Sequence, residues 1–498
     1  MNTVSRLTIL IVSGVLLGLS LNHFFFWWLS LVAIVPLFYS IKEHSNKKDA
    51  LIDGFLFGFA FSGTFLFWFW HALPLDGLGI ESGFFGVFTV FLNWSLTSLV
   101  FSLFFSVFAF LVWILRFNWF STILLFPLIW ALLEFFRMTA FSLFVFGDGA
   151  SLLPYFSTGF LGYALANNNF LLDYAFFGGV FLLSFLAVLS NTLIFKILIS
   201  ENKSFSVLAV ASLLILFGIS SGVIARGESG GEVTVSAIHT NHKARLFPDD
   251  KERERRFELH MNLLQEAARE NPDVIVFPEQ ASLIKVAKEK NILNKLRGIA
   301  GDTLIVDSHR EEDFGKVSSR ITYFNSSTGE ETKSDKKLLV SQGEYTPALY
   351  GLIGGLLGKG DTIDRALRHR SYTSGTLNEL PAFHNDAKVG ALFCSELLSP
   401  TLYNRFVENE ANLLVNVASQ SWFHDSKILR HQIENIAQVR AAENNRFLIY
   451  AANFAPSFVV SNKGELVVST ESEEKSVLTF EVNLLEKQSF YNTFISKF

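Results

Sequence analysis

Residues 7–224 contain seven long apolar stretches, and this feature constrains the fold of the chain more than any other. The stretches run over residues 7–22, 24–41, 51–72, 84–113, 119–136, 174–198 and 205–224. A bilayer core of about 30 Å needs roughly 20 apolar residues in a helix. The first half of the chain is therefore expected to form a membrane α-helical bundle of about seven spans.

Basic residues in the connecting loops predict the orientation of this bundle. With the N-terminus inside, seven basic residues fall in inside loops, and Arg137 is the clear exception on the outside. This bias follows the positive-inside rule. An odd number of spans then places everything after Arg226 outside. In a bacterium, this corresponds to a multi-pass protein of the inner (cytoplasmic) membrane with its second half in the periplasm.

Two charged residues lie together at the end of the fifth apolar stretch. Glu134 and Arg137 are three residues apart, so they share one face of a helix. One interpretation is an ion pair at the membrane interface that anchors the helix. The other is a contact with a lipid head group or with the second half of the chain.

Beyond Arg226 the sequence alternates between Val-, Ile- and Leu-rich strands and charged amphipathic helices. The predicted strands are residues 232–240, 273–279, 302–308, 319–327, 388–394, 411–419, 446–454, 456–462 and 475–484, and the predicted helices are residues 249–270, 282–299, 400–409 and 426–445. This alternation is typical of an α/β domain with covered sheets. We therefore expect a transmembrane domain (1–226), an α/β domain (227–486) and a C-terminal tail (487–498).

Bulk properties exclude several classes of function. The net charge of −5 gives no reason to expect a nucleic-acid partner. The single cysteine, Cys394, excludes an intramolecular disulfide and a cysteine-based structural zinc site.

Three kinds of reactive side chain stand beside apolar strands, where α/β sheets usually place ligands. Glu279 ends one strand, and a partly desolvated carboxylate there can act as a general base. Lys336 and Lys337 precede an apolar run. Cys394 ends another strand, and Glu396 would lie on the same side of that extended strand. Taken singly, these residues have plainer interpretations: a carboxylate at a helix N-terminus, a solvated lysine pair and an inert core thiol.

In this order, the glutamate, lysine and cysteine resemble the catalytic triad of the carbon–nitrogen hydrolase (nitrilase) superfamily. The PE motif of that superfamily is matched by Pro278-Glu279, and its C-x-E motif is matched by Cys394-Ser395-Glu396. The resemblance implies that the α/β domain is a nitrilase-like αββα sandwich.

The membrane half narrows the resemblance to the apolipoprotein N-acyltransferase family. The family's lysine segment, K-x-x-L-V-P-F-G-E-Y-x-P, is matched by residues 336–347, and its spacing gives the catalytic role to Lys336 rather than Lys337. Further family motifs are matched by Trp422-Phe423-His424 and by Arg440-Ala441-Ala442-Glu443, followed by Arg446 and Asn453. The sequence departs from the family pattern at Ser341, Gln342, Ser419, Gln420 and Ala455, and the tail lacks the apolar span with which family members usually end.

The resemblance implies a two-step acyl transfer that uses no metal or cofactor. Glu279 would take the thiol proton of Cys394, the thiolate would attack a phospholipid ester, and Lys336 would stabilise the oxyanion. The thioester would then acylate the α-amine of the diacylglyceryl-cysteine that begins an apolipoprotein. Phosphatidylethanolamine is the expected acyl donor. Supporting or substrate-binding roles fall to Glu344, Tyr345, Ser395, Glu396 and Trp422.

Two further features have two interpretations each. Residues 347–360 combine glycines with leucines, which is typical of a mobile arm that touches the bilayer and gates lipid entry, or of a buried helix. Trp422 either closes the acyl cavity or packs in the core.

Two other functions remain compatible with the sequence. One is a membrane-anchored amidase that transfers the acyl group to water, and the other is a catalytically degenerate scaffold or transporter. Few charges within the spans and the absence of an evident internal repeat argue against a transporter.

Overall fold

The computed structural model describes residues 3–75, 83–153, 155–200, 226–227, 229–245, 248–341, 343–356, 372–378, 380–424, 426–471 and 474–495. Helices dominate the first 200 residues. They are α1 (Thr3–Asn22), α2 (Val35–Glu43), α3 (Lys47–Phe65), α4 (Phe84–Leu115), α5 (Phe126–Phe144), α6 (Asn169–Leu172) and α7 (Ala175–Ile199). Shorter 3-10 segments at Phe24–Leu31, Leu66–Ala72 and Leu161–Asn167 and a π-helical turn at Ser121–Leu125 complete them.

Within the described residues, six helical segments are long and apolar enough to cross a membrane. They are Thr3–Asn22, Phe24–Glu43, Lys47–Ala72, Gly86–Leu115, Ser121–Phe144 and Ala175–Ile199. These segments reproduce the first six predicted spans, so the prediction of a multi-pass helical bundle is confirmed. The seventh predicted span, 205–224, lies outside the described residues.

Glycines allow three of these helices to approach each other closely. A Cβ atom added at Gly14 of α1 would lie 2.4 Å from the carbonyl oxygen of Phe57 in α3, and one added at Gly54 of α3 would lie 2.4 Å from that of Phe105 in α4. Backbones can come this close only where the side chain is missing, which is how helices in lipid commonly gain packing contacts.

The second half of the chain contains twelve strands and seven helices among the described residues. The strands are β1 (Ser229–His239), β2 (Val274–Val276), β3 (Leu304–Asp313), β4 (Lys316–Asn325), β5 (Glu331–Asp335), β6 (Ala382–His384), β7 (Ala387–Phe393), β8 (Leu413–Ser419), β9 (Phe447–Asn453), β10 (Phe458–Val460), β11 (Leu466–Ser469) and β12 (Ser476–Leu485). The helices are α8 (Asp250–Ala267), α9 (Leu283–Glu289), α10 (Leu293–Ala300), α11 (Ala348–Leu356), α12 (Leu402–Glu408), α13 (Lys427–Asn444) and α14 (Phe490–Ile495).

The chain divides into two compact units. The helical unit comprises Met1–Arg137, Ser157–Ala225 and Phe423–Glu443, and the α/β unit comprises Met138–Phe156, Arg226–Trp422 and Asn444–Phe498. Two segments therefore belong to a different unit from their neighbours in sequence. Residues 138–156 fold with the α/β unit, and most of α13 folds with the membrane helices.

Polar contacts explain why α13 is part of the helical unit. The buried Arg440 forms an ion pair with Glu443 and donates to the hydroxyl of Tyr163. Helix α7 is broken at Gly178 and Gly179, whose backbone angles are not helical. The Glu443 carboxylate accepts a hydrogen bond from the backbone N–H of Val180, directly after the break, at 3.3 Å.

The Glu134–Arg137 pair is also buried in the helical unit. Glu134 accepts hydrogen bonds from the Trp130 indole at 3.0 Å and from the backbone N–H of Leu161 at 2.7 Å. Arg137 donates to the carbonyl oxygen of Thr158 at 3.1 Å. Both side chains thus hold the segment that follows the fifth span, a contact that neither interpretation of the sequence included.

The α/β unit is built on two facing six-stranded sheets. Their strand orders are β12-β1-β2-β3-β4-β5 and β11-β10-β9-β8-β7-β6. Val235 and Val276 of the first sheet and Val389 and Val415 of the second lie in one buried core between the sheets. The alternate residues of β2 pack outward in a second core with α8, α9 and α10. Since α12 packs on β7 of the second sheet, the predicted αββα sandwich is confirmed.

The C-terminal tail is docked on the α/β unit by a small polar cluster. The side chains of Ser489 and Asn492 are fully buried and hydrogen-bonded to each other at 2.7 Å. Asn492 also donates to Asn404 and Asn444 at 2.7 and 2.8 Å, and the Tyr491 hydroxyl donates to a carbonyl oxygen. These contacts fix α14 to helix α12.

Candidate active site

Glu279 leaves the first sheet directly after β2 and Pro278. Its backbone N–H donates to the carbonyl oxygen of Ala418 in the second sheet at 3.3 Å, so its main chain is held between the sheets. Its side chain is 11% exposed. Burial raises the pKa of Glu279 to about 7, although the neighbouring Lys336 ammonium opposes this rise. A carboxylate with this pKa can accept a proton near neutrality.

Lys336 follows β5, and its ammonium lies between two carboxylates. The Lys336 Nζ atom is 3.0 Å from Glu344 Oε1 and 3.6 Å from Glu279 Oε1. Burial disfavours its charge, but Glu344 and Glu279 outweigh this effect and raise the pKa of Lys336 above its usual value. The two carboxylates therefore favour the charged form of the ammonium in this pocket.

Lys337 has a different environment. Its Nζ atom donates to Ser334 Oγ at 2.7 Å and lies over the Phe406 ring, 5.7 Å from the ring centroid. The two lysines thus face opposite ways, as the alternation of an extended chain requires. Only Lys336 is brought to Glu279.

Cys394 is the first residue of a 3-10 turn, Cys394–Leu398, that begins where β7 ends. Its Sγ atom lies 3.9 Å from the carbonyl oxygen of Ser419, to which the thiol donates. Burial and the negative charge of Glu279 raise the pKa of Cys394 to about 12, while Lys336 acts in the opposite direction. The thiol therefore carries its proton at neutral pH and needs a base to become a nucleophile.

Glu344 and Glu396 bind different parts of this site. Glu344 accepts from Lys336 Nζ through one oxygen and from the backbone N–H of Val340 through the other, at 2.7 Å. Glu396 accepts from three backbone N–H groups, those of Phe393, Lys337 and Leu338, at 2.8, 2.6 and 3.1 Å. It therefore fastens the lysine segment to the turn that carries Cys394.

The position of Glu396 was not predicted correctly by strand alternation. The strand ends at Phe393, and the 3-10 turn rotates Glu396 towards the backbone behind the site. Its side chain is almost fully buried.

The remaining predicted residues lie around this centre. The Ser395 hydroxyl donates to the carbonyl oxygen of Leu338 at 3.4 Å. The Tyr345 hydroxyl donates to the carbonyl oxygen of Val145 at 2.8 Å and accepts a hydrogen bond from Tyr155. Trp422 is half-buried in the short 3-10 helix Ser421–Phe423 that follows β8.

The segment 138–156 approaches the lysine segment closely, which the sequence did not reveal. Gly147 forms a β-bridge with Pro347, and the carbonyl oxygen of Phe146 accepts from the backbone N–H of Ala348. A Cβ atom at Gly147 would lie 2.2 Å from the carbonyl oxygen of Thr346, so only glycine fits there. The glycines in this loop are the sequence feature that could have indicated such a close backbone contact.

Residues 347–360 are described only in part. Ala348–Leu356 form α11, and Leu352 is 62% exposed, so this helix is not buried as one interpretation required. The rest of the predicted arm, 357–360, lies outside the described residues. Among the residues that the structure describes, no group of three or more His, Cys, Asp or Glu side chains could hold a metal ion.

Both halves of the chain match known family models. Residues 13–193 match the apolipoprotein N-acyltransferase N-terminal domain, and residues 244–490 match the carbon-nitrogen hydrolase model. The chain belongs to the apolipoprotein N-acyltransferase family.

Relatives in this family extend over nearly the whole chain. The apolipoprotein N-acyltransferase of Geobacter metallireducens is 27% identical and aligns with 97% of this chain and 90% of its own length. That of Aquifex aeolicus is 26% identical and aligns with 94% of this chain and 97% of its own. Among solved structures, a carbon–nitrogen hydrolase from Helicobacter pylori G27 is 15% identical, with a TM-score of 0.39 over 51% of this chain and 89% of that chain.

Two of the departures from the family pattern, Ser419 and Gln420, form side-chain hydrogen bonds at the end of β8. Ser419 Oγ accepts a hydrogen bond from Asn453 Nδ2 at 3.1 Å, and Gln420 Nε2 donates to the Tyr450 hydroxyl at 3.2 Å. Ser341 forms a β-bridge with Tyr345, whereas Gln342 lies outside the described residues.

Proposed function

We propose that this protein is an N-acyltransferase that moves an acyl chain from a phospholipid to the N-terminal diacylglyceryl-cysteine of apolipoproteins. The names of its relatives support this activity. The observation that carries the proposal is the Lys336 ammonium, 3.6 Å from the Glu279 carboxylate and electrostatically coupled to the Cys394 thiol. These are the base, cation and nucleophile that acyl transfer needs.

The first half-reaction forms a thioester on Cys394. Glu279 takes the thiol proton as Sγ attacks the ester carbonyl carbon, and Lys336 stabilises the negative oxygen of the tetrahedral intermediate. The carbon–oxygen ester bond then breaks. Glu279 returns the proton to the departing alkoxide, so the product that leaves is a lysophospholipid.

The second half-reaction transfers the acyl group to nitrogen. The neutral α-amine of the diacylglyceryl-cysteine attacks the thioester carbonyl, and Glu279 accepts a proton from the amine. Collapse of the intermediate breaks the carbon–sulfur bond, and Glu279 returns the proton to the departing thiolate, which restores the thiol. A thioester is reactive enough to acylate an amine, which makes a thiol a suitable carrier.

The pKa values explain why a base is required. The pKa of Cys394 lies near 12 and that of Glu279 near 7, so a free thiolate is rare at neutral pH. Proton transfer to Glu279 is therefore coupled to attack on the ester. The charged Lys336 stabilises the negative charge both on Glu279 before the transfer and on the sulfur after it, so the charge stays beside a cation throughout.

The membrane helices fit substrates that are themselves lipids. We propose phosphatidylethanolamine as the acyl donor and the bacterial inner membrane as the location, with the α/β unit in the periplasm. The basic bias of the loops supports this orientation.

The test uses purified protein in vesicles that contain phosphatidylethanolamine. Intact-mass analysis should detect an acyl adduct on the wild type that neutral hydroxylamine releases, and no adduct on Cys394→Ser. Addition of a diacylglyceryl-cysteine peptide should discharge the adduct and yield the N-acylated peptide. Release of free fatty acid alone would instead identify an amidase-like hydrolase, and failure to form an adduct would identify a catalytically silent protein.

A further inference from the structure

The end of β8 holds both reacting groups of the proposed mechanism. The carbonyl oxygen of Ala418 accepts the backbone N–H of Glu279 at 3.3 Å. The next carbonyl oxygen, that of Ser419, accepts the thiol of Cys394 at 3.9 Å. Consecutive carbonyl groups thus position the base, which comes from the first sheet, and the nucleophile, which comes from the second.

The side chain of Asn453 fixes the end of β8. Asn453 lies opposite Ser419 at the end of the β8–β9 ladder. Its Nδ2 atom donates to Ser419 Oγ at 3.1 Å, and its backbone carbonyl oxygen accepts the N–H of Gln420 at 3.0 Å. Both bonds restrain the peptide group that presents its oxygen to Cys394.

The same amide also binds the segment that follows β1 of the first sheet. Asn453 Oδ1 accepts from Thr240 Oγ1 at 2.9 Å and from the backbone N–H of His242 at 2.7 Å. Asn453 Nδ2 donates to the carbonyl oxygen of His242 at 3.0 Å. With the bond to Ser419 Oγ, both donors and both acceptor lone pairs of the amide are used. The side chain is 7% exposed, so water does not compete for these bonds.

We propose that Asn453 is a positioning residue that sets the distance between Glu279 and Cys394. It acts through Ser419, because it joins the two sheets at the edge from which these groups project. In the resting protein the thiol donates to the Ser419 carbonyl oxygen. For catalysis the thiol must instead donate its proton to the Glu279 carboxylate. A small displacement of either sheet edge would lengthen the distance between the thiol and the carboxylate.

This inference rests on the proposed function, since it takes Glu279 and Cys394 as the reacting pair. Its test avoids lipid substrates. Iodoacetamide alkylates the single thiol of the chain, and loss of unmodified protein is followed by intact-mass analysis at pH 5.5–9 in detergent. In the wild type, alkylation should accelerate with an inflexion near pH 7, where Glu279 ionises.

Asn453→Ala should slow alkylation at pH 7.5 by about tenfold or more, since small misplacements of reacting groups have effects of this order. The inflexion near pH 7 should disappear, and the rate should follow the titration of the thiol alone. A merely structural residue would change the unfolding temperature without changing the shape of this profile.

Asn412→Ala is the matched control. Asn412 stands just before β8, at the far end from Cys394, and its buried amide also joins separate segments. It accepts from the N–H of Lys388 at 2.8 Å and donates to the carbonyl oxygen of Asp386 at 2.9 Å. This variant should lower the unfolding temperature and retain the wild-type pH profile.

A wild-type profile in folded Asn453→Ala, or an equal loss of the inflexion in Asn412→Ala, overturns the inference. If Asn453→Ala does not fold, Ser419→Ala decides, because it breaks the side-chain link between Asn453 and β8, and Ser421→Ala controls for the bond between the Ser419 and Ser421 hydroxyls that is lost with it. An unchanged profile in Ser419→Ala also overturns the proposal. Normal alkylation profiles together with absent acyl transfer in the wild type would contradict the proposed function instead.

Discussion

Exchange of the two adjacent lysines provides the sharpest test of the catalytic geometry. Lys336 and Lys337 are both long cations on the same stretch of chain, yet only Lys336 points at Glu279 and Glu344. The Lys337 ammonium instead contacts Ser334. Lys336→Ala and Lys337→Ala therefore each remove one positive charge from the same segment. The two variants differ only in the direction in which the lost side chain pointed.

Lys336→Ala should slow formation of the acyl-enzyme by about 10³–10⁴-fold. Loss of one oxyanion donor typically costs about 10²–10³-fold. Lys336 also holds down the pKa of Glu279, which burial already raises to about 7. Without the ammonium this pKa rises further, and each additional pH unit reduces the ionised base at pH 7 by about tenfold. Lys337→Ala should stay within a few-fold of the wild type.

Rapid mixing with phospholipid vesicles, acid quench and intact-mass analysis would measure the rate of acyl-enzyme formation. Lys336→Arg should also fail, because a planar guanidinium does not replace a compact ammonium between two carboxylates. An inactive Lys337→Ala beside an active Lys336→Ala would refute this reasoning and shift the register of the motif by one residue.

Other consequences of the structure can be measured independently. The rate of acyl-enzyme formation should fall as pH falls through about 7, because Glu279 must be ionised to act as a base. Glu344→Gln should move this inflexion to lower pH, since the Glu344 charge raises the pKa of Glu279. A shift of the inflexion to higher pH would contradict the assignment. Glu396→Ala leaves three buried N–H groups without their acceptor, so the free energy of unfolding should drop by about 3 kcal/mol or more, and an unchanged unfolding temperature would show that these bonds are dispensable. Alkaline phosphatase fused after Phe498 should be active in cells, and activity of a cytoplasmic reporter there would reject the periplasmic orientation.

Much of the fold was predictable because burial leaves a clear pattern in sequence. Strand β2 is apolar on both faces, since one face packs between the sheets and the other against helices. Strands β5, β6 and β11 were not predicted. They are short strands at or near the sheet edges, and β5 reads ETKSD, so its extended form depends on pairing with β4 rather than on its own residues.

The residues of the candidate site could be proposed from the sequence, but the contacts between them could not. The motif spacing selected Lys336, which is also the lysine that the structure brings to Glu279. The choice between Lys336 and Lys337 depends only on the alternation of side chains along an extended chain, which is a local property. Glu396 departed from such alternation, since the strand ends one residue before Cys394. The four contacts of Asn453 join residues more than 30 positions apart, and no local pattern encodes such contacts.

Because helix α7 is broken, the sixth span needs a much later part of the chain to complete its hydrogen bonds. The N–H group of Val180 finds its acceptor in Glu443, which the ribosome adds 263 residues afterwards. An unsatisfied N–H in lipid costs several kcal/mol, so the newly inserted span must use a temporary acceptor or remain incompletely packed. Biogenesis of the membrane part is therefore complete only after α13 has been synthesised and has joined it. Fragments that end before Phe423 lack the carboxylate that closes this break.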